Sequence, residues 1–71
     1  MNKRFDIEWT IKGETWGDKY YNVDSFLEII KDIKDYYNLP FDKEHYESLF
    51  ETMEVGDIVK DEYITIKAEE Y

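Results

Sequence analysis

Residues 4–12 alternate without interruption. Phe5, Ile7, Trp9 and Ile11 fall on one side; Arg4, Asp6, Glu8, Thr10 and Lys12 fall on the other. A period of two sustained this long is the pattern of a strand with one buried and one wet face. A half-buried strand needs partners beside it and a layer over its apolar face, so the rest of the chain must supply both. Gly13 breaks the alternation and marks a tight turn. Residues 14–22 read as the returning strand, with Trp16, Tyr20 and Tyr21 as its aromatic positions. Gly17 within it predicts a bulge or bend.

The covering layer follows. Asn22-Val23-Asp24-Ser25 opens a helix: Ser25 and Glu28 have the S-x-x-E spacing of a capping box, with Asp24 as the rival cap. Phe26, Ile29, Ile30, Ile33 and Tyr37 make its apolar stripe. Asn38-Leu39-Pro40 ends it, because the residue before proline avoids the helical region. Asp42 is the expected N-cap of a second helix over 43–54, with Tyr46, Leu49, Phe50 and Met53 as its stripe and Gly56 as its stop. Ile58-Val59 is a short apolar pair, followed by a turn at Lys60-Asp61-Glu62. Residues 63–68 alternate again, with Ile64, Ile66 and Ala68 inward. The expected fold is therefore α+β: one two-layer domain spanning residues 1–71, in the order β-β-α-α-β. A three-stranded antiparallel sheet of order 2-1-3 packs against two helices.

Size and charge narrow the function. The chain has 71 residues and no cysteine, so neither a disulfide nor a thiolate metal site supports the fold. The net charge of −9 argues against a phosphate backbone or an anionic membrane as direct ligand. No apolar run approaches the ~20 residues of a membrane span. Met1-Asn2-Lys3-Arg4 leads straight into the first strand, so no signal peptide is expected and the cytoplasm is the expected location. The charge is uneven: net 0 over residues 1–23, −2 over 24–41 and −7 over 42–71.

The second helix organises that charge. Glu44, Glu47, Glu51 and Glu54 recur at spacings of three, four and three, an arc of about 80° and an acidic ridge about 15 Å long. A solvated helix face would explain such a row. However, like charges at these spacings repel, and Glu51 and Glu54 oppose the helix dipole at the C-terminal end. Lysines to neutralise the row are missing, Lys43 apart. The functional reading is that the carboxylates stand in for phosphates and dock in a basic channel that normally holds nucleic acid. Asp57, Asp61, Glu62, Glu69 and Glu70 extend the field if the last strand lies near.

Nothing points to catalysis or a cofactor. His45 is the single histidine and sits in the first turn of a helix; Ser25 and Ser48 lack a G-x-S-x-G context. The glycines stand apart, so there is no phosphate loop. Asp57–Glu62 lacks the spacing of a calcium loop, and no metal is expected. The aromatics are too many for one small core. Trp9 is in phase with the buried side of its strand, whereas Trp16 and Tyr21, placed near the hairpin tip, are candidates for a protein contact.

Small size, acidity, absence of cysteine and a compact α+β pattern together resemble small phage-encoded inhibitors of the anti-CRISPR and anti-restriction DNA-mimic type. The resemblance lies in composition and architecture, with no residue motif. It implies a non-enzymatic inhibitor that occupies the nucleic-acid site of a bacterial defence nuclease in the host cytoplasm, with no direct nucleic-acid contact. The rival reading is a small structural or adaptor domain, with a homodimer formed through exposed tyrosines or an open sheet edge.

Overall fold

A computed structural model describes residues 2–71. It has four strands and two helices: β1 (Lys3–Ile11), β2 (Glu14–Tyr20), α1 (Val23–Tyr36), α2 (Lys43–Thr52), β3 (Ile58–Lys60) and β4 (Ile64–Glu70). The strands form one antiparallel sheet of order β2-β1-β4-β3. The expected pairing of the last strand beside the first is present; the expected count of three strands is not. The fourth strand is Ile58-Val59-Lys60, which pairs with Thr65–Lys67. Three residues are too few to display a period, so the segment reads as an apolar pair followed by a turn.

Lys12 and Gly13 join β1 to β2, both at positive φ (52° and 79°). This is the backbone of a two-residue hairpin turn matched to the twist of its strands. The register then runs unbroken from Ile11–Glu14 to Phe5–Tyr20. Gly17 faces Glu8 in regular pairing, so the expected bulge is absent.

Asn22 is the N-cap of α1: its side chain accepts the Ser25 N–H at 2.9 Å. The helix therefore begins ahead of the Ser25–Glu28 box, and Asp24 lies in its first turn, where a carboxylate favours the dipole. Its end is built by Asn38 at φ 55°. The Leu39 N–H reaches the Lys34 carbonyl at 2.8 Å and the Asn38 N–H reaches that of Asp35 at 3.2 Å. This is a Schellman closure with asparagine in the glycine position. Asp42 caps α2 as expected, accepting from the His45 N–H at 3.2 Å.

α2 stops at Thr52, two residues short of the expected end, with Met53 extended and buried. The cause is long-range. The Gly56 N–H bonds to the Ala68 carbonyl and the Ala68 N–H to that of Asp57, so the chain must leave the helix early to meet β4. Gly56, at φ 98°, serves a turn closed by the Asp57 N–H on the Glu54 carbonyl.

Both helices cover one face of the sheet. Phe5, Ile7, Ile64, Ile66 and Ala68 meet Phe26, Leu27, Ile30, Ile33, Tyr46 and Met53 in one core. Phe5, Phe26 and Phe50 pack as an aromatic trio, with centroids 4.6–5.2 Å apart. Among the described residues, nothing forms a layer over the other face of the sheet.

Candidate functional site

The strand register divides the charge by layer. On the uncovered face lie Arg4, Lys19, Lys60 and Lys67 with Asp6, Glu8 and Glu69, a net of +1. Four of these groups neutralise one another: Lys19 Nζ holds Asp6 at 3.2 Å and Glu69 at 3.0 Å, and Arg4 approaches Glu69 at 3.6 Å. Bonding to Lys19 holds the Glu69 carboxyl below its ordinary range, and those same bonds raise Lys19. The rest of the chain therefore carries −10.

On the helix side, Glu44 and Glu51 are exposed and Glu47 is half-buried. They share an arc of about 60° and span about 10 Å. Glu54 does not continue the row: it lies beyond the helix end in the turn, where its N–H donates to Asp57 Oδ2 at 2.9 Å. The expected ridge of four is thus three residues on α2, with Glu54 and Asp57 joined to each other after it. Asp24, Glu28, Asp32 and Asp35 of α1 are also exposed.

Asp61 has a different position. Lys34 is the one buried charged side chain among the described residues, 7% exposed, and its Nζ meets Asp61 Oδ2 at 2.6 Å. The Tyr46 hydroxyl donates to the same oxygen, and the Glu62 N–H reaches Asp61 Oδ1 at 2.8 Å. The Lys34 and Tyr46 bonds hold the Asp61 carboxyl down at about 2. Burial pulls Lys34 down, but its bond to Asp61 and the Tyr46 hydroxyl beside it more than offset this and leave it raised. Burial, then the Asp61 carboxylate, raises Tyr46. The cluster ties α1 and α2 to the β3–β4 turn. Nearby, the Tyr37 hydroxyl donates to the Thr10 carbonyl, and its ring stacks on Tyr63 at 3.8 Å. Asp61 therefore acts inside the fold, while Glu62 is exposed. Lys34 carries a visible signal: it stands four residues after Ile30 and seven after Leu27, on the apolar stripe itself.

Trp16 and Tyr21 are about half exposed but far apart. Trp16 pairs with Trp9 three residues from the turn. Tyr21 lies past the other end of β2, its ring edge-on to Tyr71 at 4.9 Å. Five residues of strand separate them by about 17 Å, so they do not form one contact at the hairpin tip.

None of the family models, curated proteins and solved structures compared with this chain matches it. Among the described residues, no helix is long and apolar enough to cross a membrane.

Proposed function

We propose that the chain is a non-enzymatic acidic inhibitor of a nucleic-acid-binding protein, such as a bacterial defence nuclease, with carboxylates in place of phosphates. The observation that carries this reading is the division of charge: −10 outside the uncovered sheet face against +1 on it. A charge kept only for solubility would be interspersed over both layers. Glu44, Glu47 and Glu51 follow one another at axial steps of about 4.5 and 6 Å. One DNA strand carries a phosphate every ~3.4 Å of axis. The row is sparser than a strand but of the same order. The carboxylates of α1 lie on the same side of the sheet and add to the field that steers a basic partner.

The test has two stages. The chain is used to capture a partner from bacterial lysate, and duplex DNA is then titrated against the purified complex. Displacement by DNA, together with loss of binding in E44K/E47K/E51K, is the expected result. A ternary complex of partner, DNA and this chain refutes the reading.

A further inference from the structure

We infer that the free edge of β2 is a strand-addition site for an extended, basic segment of another protein. It rests on the reading above only in taking the partner to be basic, and it uses a surface apart from α2.

The phase of the hairpin fixes which backbone groups are open. The two-residue turn makes Ile11–Glu14 a hydrogen-bonded pair, so Trp9–Trp16, Ile7–Asp18 and Phe5–Tyr20 are bonded as well. Thr15, Gly17 and Lys19 then aim their N–H and C=O groups outward, and β2 is the last strand on that side. The Lys19 N–H is already held by Asp18 Oδ1 at 2.8 Å. Among the described residues, those of Thr15 and Gly17, and all three carbonyls, have no partner. Natural sheets blunt such edges with short strands, bulges, proline or charged side chains, and charge is the one of these that β2 carries, at Glu14, Asp18 and Lys19. β3, on the opposite edge, is three residues long; β2 has seven, with no bulge, and Glu14–Asp18 is exposed throughout.

The side chains say what fits. On the helix side of β2, Glu14, Trp16 and Asp18 follow at alternate positions, with Trp16 half exposed. On the other side Lys19 is neutralised by Asp6 and Glu69, and Gly17 leaves the edge open. An added strand would place three residues of one face opposite Glu14, Trp16 and Asp18. The complementary pattern is a Lys or Arg at each end and an aromatic between, at alternate positions. A second copy of this chain does not fit. Every symmetric antiparallel register that overlaps the exposed stretch sets Glu14 or Asp18 opposite or diagonal to Glu14 or Asp18 of the other copy, and like charges there repel.

The probe is a labelled peptide, Thr-Lys-Thr-Tyr-Thr-Lys-Thr, titrated against the intact chain with backbone amides followed by NMR. Binding should shift β2 amides and leave those of α2 unmoved. N-methylation of the two threonines that flank the tyrosine should weaken binding about tenfold, the loss expected for two interfacial hydrogen bonds. Gly17→Pro removes one outward N–H that bonds to nothing within the sheet, and should weaken binding about threefold. Asp18→Lys should weaken binding and flatten its salt dependence, whereas E47K/E51K should change it by less than about twofold. The N-methylated peptide decides the matter without altering the fold. If it binds as well as its parent, if the shifts fall on the helices, or if no binding occurs at millimolar concentration, the inference is wrong. A dimer in light scattering that Gly17→Pro dissolves would also overturn it, because the occupant would be a second copy.

Discussion

Removing the Asp61 carboxylate should be among the most damaging changes available outside the apolar core. Asp61 is held at about 2 against an ordinary 3.8. At 1.36 kcal/mol for each pH unit, that difference corresponds to roughly 2–3 kcal/mol. The Asp61 side chain is 31% exposed, and screening by solvent lowers this to about 2 kcal/mol. Asp61→Ala does more than remove the pair, because it strands the ammonium of buried Lys34 and the hydroxyl of buried Tyr46. Breaking a buried pair from one side typically costs ~3–5 kcal/mol; with Asp61 partly open to water, about 3 kcal/mol is expected. A domain of this size melts ~4–8 °C lower for each kcal/mol lost, so the midpoint should fall by roughly 12–24 °C. Lys34→Met should cost only about 1 kcal/mol, since it keeps an apolar stem in place and leaves a carboxylate that water can reach. The pH dependence follows from the sign. A depressed carboxyl stabilises the fold above its unfolded value of 3.8, and that stability is lost as pH falls through the folded value of about 2. The gap between wild type and Asp61→Asn, measured by urea unfolding, should therefore be about 2 kcal/mol at pH 7 and shrink to a small fraction of that at pH 2. A cost below about 0.5 kcal/mol for Asp61→Ala, or a gap that does not narrow in acid, refutes the reasoning.

Four further changes test the fold. Ile66→Ala, at a fully buried position on β4, should cost about 2–5 kcal/mol. A chain this size has only about 4–10 kcal/mol in all, so denaturant titration should find it close to unfolding. Asn22→Ala should lose about 1 kcal/mol in thermal melts by removing the cap that holds the Ser25 N–H, and Ser25→Ala only a few tenths. Gly13→Ala has open space for its methyl group. It should still cost about 1–2 kcal/mol, because its φ of 79° disfavours any Cβ.

Local patterns carried much of this structure. The alternation of residues 4–12 and 63–68 marks β1 and β4 because each strand buries only one face, and Asp42 marks the start of α2 because capping acts over three residues. What escapes is set by contacts distant in sequence. α2 ends early because Gly56 and Asp57 must reach Ala68. β3 shows no period because it has three residues, and it is a strand only through its pairing with β4. Asp61 has the composition of a surface acid, but its partner Lys34 lies 27 positions away. The acidic row on α2 was legible for Glu44, Glu47 and Glu51, since all three lie within the helix; Glu54 was lost with the helix end. The division of charge between layers was hidden, because Lys60, Lys67 and Glu69 belong to the acidic half of the sequence but lie on the neutral face of the sheet.

In the proposed function, the helix-side carboxylates, and not the sheet face, engage a basic nucleic-acid-binding partner. The most direct measurement is the salt dependence of affinity for the captured partner, taken for wild type, E44K/E47K/E51K and a sheet-face control, Lys60→Glu. Wild type should show a steep loss of affinity with salt, E44K/E47K/E51K a weak and nearly flat one, and Lys60→Glu a slope like that of wild type. An unchanged slope in E44K/E47K/E51K, or a slope that collapses in Lys60→Glu, would contradict the claim.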